Sequence, residues 1–162
     1  MSWRGLGLKV FLVFFAILIL NISFLCQWSD MDRYAVLQKQ LKILAEEAAS
    51  GAALLRDETE YSFGRICIDS ASAEAYVEHV LAEAEDGPYF GLSGQLAAEL
   101  ILFDDVKGYC GAEAHGVGTG EPAAVVVLSY QGRDLFRLPF LSVTEIRRTA
   151  VYEWAGGLTS SF

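Results

Sequence analysis

The feature that most restricts this chain is the run from Val10 to Leu25, VFLVFFAILILNISFL, sixteen residues in which only Asn21 and Ser23 are polar. With Leu6, Leu8, Cys26 and Trp28 at its flanks, the segment reaches roughly the 20 residues that a helix needs to cross a bilayer. Basic residues (Arg4, Lys9) precede it, acidic ones follow from Asp30, and Trp3 and Trp28 stand near its ends. By the positive-inside rule the N-terminus is cytoplasmic and residues 29–162 are extracytoplasmic. A cleaved signal peptide is the rival reading. However, Phe24 to Trp28 offer no A-x-A site, and a bulky Leu25 directly before Cys26 is a poor lipoprotein signal. The expectation is therefore a retained single-pass anchor in contact with lipid.

Beyond the anchor there is room for one small domain, since the whole chain has 162 residues. Arg4 and Lys9 are the only charges before Asp30, which leaves 10 basic against 21 acidic side chains beyond the span. Phosphate binding needs basic surface, so nucleic acid is not expected as a partner.

Between Ser29 and Glu58 the positions Tyr34, Leu37, Leu41, Leu44, Ala48, Gly51 and Leu55 recur in steps of three and four, the stripe of one amphipathic helix. No proline occurs before Pro88, so span and stripe can form nearly one rod, with a bend near Trp28 to Asp30 left open. The stretch LAEEAASGAALLRDE, residues 44–58, carries five alanines and a glycine. Such small side chains make a weak coiled-coil seam and suit close approach, either to the chain's own sheet or to a partner helix at positions 45, 49 and 53. The residues expected to make helix-packing contacts are Leu37, Leu41, Leu44, Ala45, Ala48, Ala49, Ala52 and Leu55.

Farther on, Tyr61, Phe63, Ile66 and Ile68, with Gly64 between them, read as a short strand or turn-strand ending at Asp69-Ser70. A second helix, capped by Ser70 or Ser72, buries Ala73, Val77, Val80, Leu81 and Ala84, turns Glu74, Glu78, Glu83 and Glu85 to water, and stops at Gly87-Pro88. Residues 92–103 fit a short helix leading into a strand or a strand throughout. Gly108 to Pro122 reads as a glycine-rich loop. Ala123 to Tyr130 is a β-branched run; Gln131-Gly132-Arg133 is expected to turn it back into Asp134 to Leu138 as a hairpin, with Leu141 to Trp154 as a further antiparallel strand. The sum is an α+β chain: residues 1–9 cytoplasmic, a transmembrane helix at 10–28, a membrane-proximal helix at 29–58 packed on a small antiparallel sheet, an α+β domain at 59–157 and a tail at 158–162.

Candidate chemistry is sparse. His79 with Glu78 and Glu83 could share a metal ion, although a Glu-rich solvated face explains them more simply. The loop GAEAHGVGTG around His115 lacks the strand, helix and GK[ST] of a phosphate cradle. Ser93 in GLSG lacks the last glycine of a nucleophile elbow. Asp104 and Asp105, being adjacent, would point to opposite faces of a strand and suit a turn or strand end better than acid–base work. The sequon Asn21-Ile22-Ser23 lies within the span. Cys67 and Cys110 lie in the exported part, where either a disulfide between them or two buried free thiols is open. No enzyme, cofactor or metal is expected.

This order of short basic N-terminus, span, alanine-rich helix and small β domain is shared by pilins. LKILAEEAASGAALLRDE resembles the helix that follows the membrane segment in TadE-like proteins, the pseudopilins of tight-adherence (Flp) pilus assembly. The tail AAVVVLSYQGRDLFRLPFLSVTEIRRTAVYEWAGG is similar to their closing pattern. The resemblance implies a non-enzymatic component of pilus assembly or protein secretion, with other subunits of that machine or further copies of itself as partners. The chain departs from the pattern in having no acidic residue between Gly5 or Gly7 and Asp30, which implies an unprocessed, membrane-retained accessory component. A membrane-anchored sensor or ligand-binding module, with its site in Gly108 to Pro122, is the alternative.

Overall fold

With neither proline nor a paired glycine to interrupt it, the N-terminal third forms a single uninterrupted helix, α1, Trp3–Leu54. This is seen in a computed structural model that describes residues 3–90, 94–118, 120–138, 141–154 and 157–161. At 1.5 Å per residue its 52 residues extend about 78 Å. From Gly7 to Arg33 every residue is exposed. The helix is long and apolar enough to cross a membrane. Burial begins at Tyr34, so the exposed apolar stretch and the domain share one element with no linker between them.

Beyond α1 the chain makes a five-residue helix, α2 (Glu58–Ser62), in place of the expected strand. The cause is Asp57, whose carboxylate accepts from the N–H groups of Thr59 (2.8 Å) and Glu60 (3.4 Å) and so caps a helical turn. Gly64, at φ 79°, then takes the chain out of it. Of the expected strand only a bridge between Arg56 and Ile68 remains. Helix α3, Ser70–Glu85, is capped by Asp69 and not by Ser70 or Ser72; the Asp69 carboxylate accepts from Ala71 N–H (3.2 Å) and from the Ser72 hydroxyl (2.6 Å).

Four strands form a meander, each antiparallel to the next: β1 (Gly94–Phe103), β2 (Ala123–Leu138), β3 (Leu141–Glu153) and β4 (Gly157–Ser161). Residues 94–103 are thus strand throughout, and the expected tail at 158–162 contributes an edge strand up to Ser161. The expected hairpin turn at Gln131-Gly132-Arg133 does not form. Instead β2 runs on to Leu138, and between the pairs Gln131↔Glu145 and Phe136↔Val143 it advances five residues while β3 advances two. Glycine in a strand marks such a bulge as readily as a turn. Leu138 pairs with Leu141, so β2 and β3 meet there as neighbouring antiparallel strands; Pro139 and Phe140 lie outside the described residues.

Strand β2 is central and covered on both faces, which explains its unbroken apolar run. On one face Ala124, Val126, Leu128 and Tyr130 join Leu96, Ile146 and Ala150 beneath α1 and α3. On the other, Ala123, Val125 and Val127 join Phe103 and Val151 beneath Ala112 and Val117 of the long loop, which includes the 3-10 turn Ala112–His115.

Candidate functional site

The packing segment of α1 is built from its smallest side chains. Ala48, Ala49, Ala52 and Ala53 are fully buried, as is Leu41, and Ala45 is 1% exposed. They belong to the same core as the helix-facing side of the sheet. Alanine projects one methyl group, so the helix backbone comes close to the strands, and Ala124 and Ala150 on the sheet side shorten the approach further. Leu37 and Leu44 are partly buried at the margins of this contact. Leu55 lies one residue past the end of α1 and is half-buried.

Gly51 does a separate job. A Cβ placed there would stand 2.0 Å from Tyr76 Cε1 and 2.3 Å from its Cζ, so the ring of α3 lies directly against the α1 backbone. At the end of the helix the Trp154 indole N–H donates to the Ala53 carbonyl at 2.8 Å. That carbonyl is one of the last four of α1, which no helical N–H can satisfy, so the residue just after β3 closes the helix terminus.

The small face of α1 is therefore occupied by the chain's own sheet and third helix. Positions 45, 49 and 53, which also suited a partner helix, are covered intramolecularly. The free surface of α1 lies elsewhere: the exposed segment from Gly7 to Arg33, and outward residues of the docked half such as Val36 (38% exposed) and Ile43 (45%).

A second constellation, which sequence reasoning missed, joins residues 66–70 to the end of β1. Asp104 is fully buried, and its carboxylate accepts from the N–H groups of Ile68 (3.2 Å), Val106 (3.0 Å) and Lys107 (2.7 Å). The Lys107 ammonium stands 3.5 Å from it and also reaches the Ile68 carbonyl and the Ser70 hydroxyl. Burial alone would raise the Asp104 pKa, but these N–H donors and the Lys107 charge hold it below the ordinary carboxylate value. Asp105 accepts from Ile66 N–H (2.9 Å) and from the Tyr109 hydroxyl (2.8 Å). The adjacent aspartates thus act as acceptors tying a loop, as a strand end would, and not as an acid–base pair.

Cys67 Sγ lies 3.5 Å from Asp104 Oδ2. Burial first, and the Asp104 charge second, push this thiol up, which disfavours the reactive thiolate. Cys67 and Cys110 are free thiols, not a disulfide, with Cys67 half-buried and Cys110 exposed.

The remaining candidates do not converge. Glu78, His79 and Glu83 are exposed on α3, and among the described residues no three His, Cys, Asp or Glu side chains gather as a metal-holding group. His115 lies beside Phe103, with ring centroids 6.1 Å apart and the ring planes tilted by 43°. The Asn21 amide donates to the Ile17 carbonyl within α1. Ser93 lies outside the described residues. Compared with protein-family models, curated proteins and solved structures, the chain finds no match.

Proposed function

We propose that this chain is a non-enzymatic, membrane-anchored, pseudopilin-like component of pilus assembly or protein secretion, acting by helix and domain packing, with its domain on the extracytoplasmic side. The observation that carries this reading is the double use of α1. One uninterrupted helix leaves its first half bare and makes its second half the core of an antiparallel α+β domain. A helix shared in this way fixes the domain's orientation to the membrane, which serves an assembling subunit more than a tethered receptor. Trp28 and the first half-buried position, Tyr34, are six residues apart, about 9 Å along a helix, so the domain stands directly over the bilayer.

The sensor alternative has less in its favour. Its nominated loop, Gly108 to Pro122, uses Ala112 and Val117 to close the outer face of the sheet.

Single-cysteine variants at Ile17, Leu20, Phe24, Val36 and Ile43, made with native cysteines replaced, test the proposal by cross-linking in intact cells. A subunit partner or a second copy is captured at positions on one face of the bare half. If no position captures protein while the domain folds normally, the assembly role is wrong. The orientation has its own test, because exposed Cys110 reacts with an impermeant maleimide in intact cells only if the domain is outside.

A further inference from the structure

We propose that the outer edge of β1, together with the flank of α3, is a docking groove for an extended basic segment of a partner protein, taken up by strand addition.

Three observations carry this. The first is the edge itself. Strand β1 pairs on one side with β2 over ten consecutive positions, and nothing among the described residues pairs with its other side between Gly94 and Leu102. Exposed edges are usually guarded by lysine, proline, a bulge or shortness. This one, GQLAAELILF, has ten residues, a single charge at Glu99 and no proline.

The second is the groove beside it. Side chains at 96, 98 and 100 point to the helix-bearing face, in register with Tyr130, Leu128 and Val126. Ala98 is nonetheless exposed and Leu100 only half-buried, because α3 stands off from the strand there. The open space measures about 590 Å³, with Leu96, Ala98 and Leu100 on its floor and Glu74, Glu78 and Glu85 along its wall.

The third is charge. None of these three glutamates is in an ion pair among the described residues, and no basic side chain lines the groove. Glu74 and Glu78 stand one helical turn apart, about 6 Å at 1.5 Å per residue, and alternate side chains of a strand recur at about 6.6 Å. A strand added to β1 would therefore set basic residues at i and i+2 beside successive glutamates, while its backbone takes up the free edge. A second copy is a poor occupant: edge-to-edge pairing of two β1 strands would bring two acidic walls together in a domain already rich in acidic side chains.

The test uses the full chain in detergent and three synthetic peptides of about nine residues, the length of the edge. One alternates lysine with valine, one alternates glutamate with valine, and one repeats the lysine–valine sequence with every backbone nitrogen methylated, which keeps the charge but removes the backbone donors. Binding is followed by fluorescence anisotropy and amide exchange. The lysine–valine peptide binds, slows exchange of the outward β1 amides, and weakens by about tenfold or more when Glu74, Glu78 and Glu85 are all changed to glutamine. Equal binding by the N-methylated peptide reduces the site to a diffuse acidic surface and overturns the proposal. So does binding without β1 protection, or a dimer of the chain joined through β1. The glutamine variant keeps its thermal unfolding profile, since all three positions are exposed or half-exposed on α3, and this separates lost binding from lost folding.

Discussion

The contact between Gly51 and Tyr76 makes a sharp prediction, because two opposing terms meet at one atom. Gly51→Ala in a free helix interior stabilises by about 1 kcal/mol. Here the added Cβ would stand 2.0 Å from the ring of Tyr76, where ordinary contact begins at 3.4 Å, so the ring must withdraw by about 1.4 Å. Withdrawal costs about 0.5–1.5 kcal/mol in rotamer strain. Losing half the burial of a half-buried ring adds about 1–1.5 kcal/mol. The net expectation is destabilisation by about 1 kcal/mol in the native background. In a Tyr76→Ala background the obstacle is gone and the same change stabilises by about 1 kcal/mol, a coupling of about 2 kcal/mol. The assay is guanidinium unfolding of the full chain in detergent, followed by fluorescence, with Trp154 reporting on the α1–β3 junction. If Gly51→Ala stabilises equally in both backgrounds, the ring does not lie on the helix, and close approach of α3 is not what requires glycine there.

Three further outcomes are expected from the packing and the polar knot. Leu41→Ala, which empties a fully buried site under the sheet, should cost about 3 kcal/mol in the same unfolding assay. Asp104→Ala should cost about 3–5 kcal/mol, since three N–H donors lose a charged acceptor and Lys107 loses its counter-ion. Because Asp104 titrates below the ordinary value of 3.8 in the folded chain, its contribution is complete above that pH and is lost as pH falls through the lower folded value; Asp104→Ala should therefore flatten the acid limb of stability against pH. In detergent at neutral pH a maleimide should label exposed Cys110 at least about tenfold faster than Cys67, whose thiol is half-buried and pushed up. Equal rates would mean that the Cys67 pocket opens freely.

Much of this architecture is legible in the sequence, because it arises from periodicity. The three-and-four stripe of α1, the apolar face of α3 and the β-branched run of β2 each mark an element. What misleads is local chemistry that serves two ends. Gln131-Gly132-Arg133 has turn composition, but Gly132 pairs with Gly94 within the sheet, and a Cβ there would meet Leu135 at 2.7 Å. The glycine serves a bulge. Tyr61 to Ile68 has strand composition, but the Asp57 cap outweighs it, and that signal, a carboxylate two residues before a donor N–H, is present in the sequence. The Asp104 knot is not legible: its contacts to Ile68 and Cys67 join positions 36 and 37 residues apart, and no short-range pattern encodes them.

The small-residue face of α1 illustrates a wider division of labour. A side chain that is fully buried under its own sheet cannot also be the surface a partner reads. With Ala45, Ala48, Ala49, Ala52 and Ala53 covered, the surfaces left for the proposed recognition include the bare first half of α1, outward residues such as Val36 and Ile43, and the open edge of β1. These surfaces differ in kind. On the proposals made above, the first would be read within lipid by packing, the second beside the membrane, and the third by backbone pairing and charge. An uninterrupted helix with no flexible joint resists the tilting and collapse that a linker would allow, and in the proposed assembly it would keep the lateral surfaces of the domain presented to neighbours in the plane of the membrane.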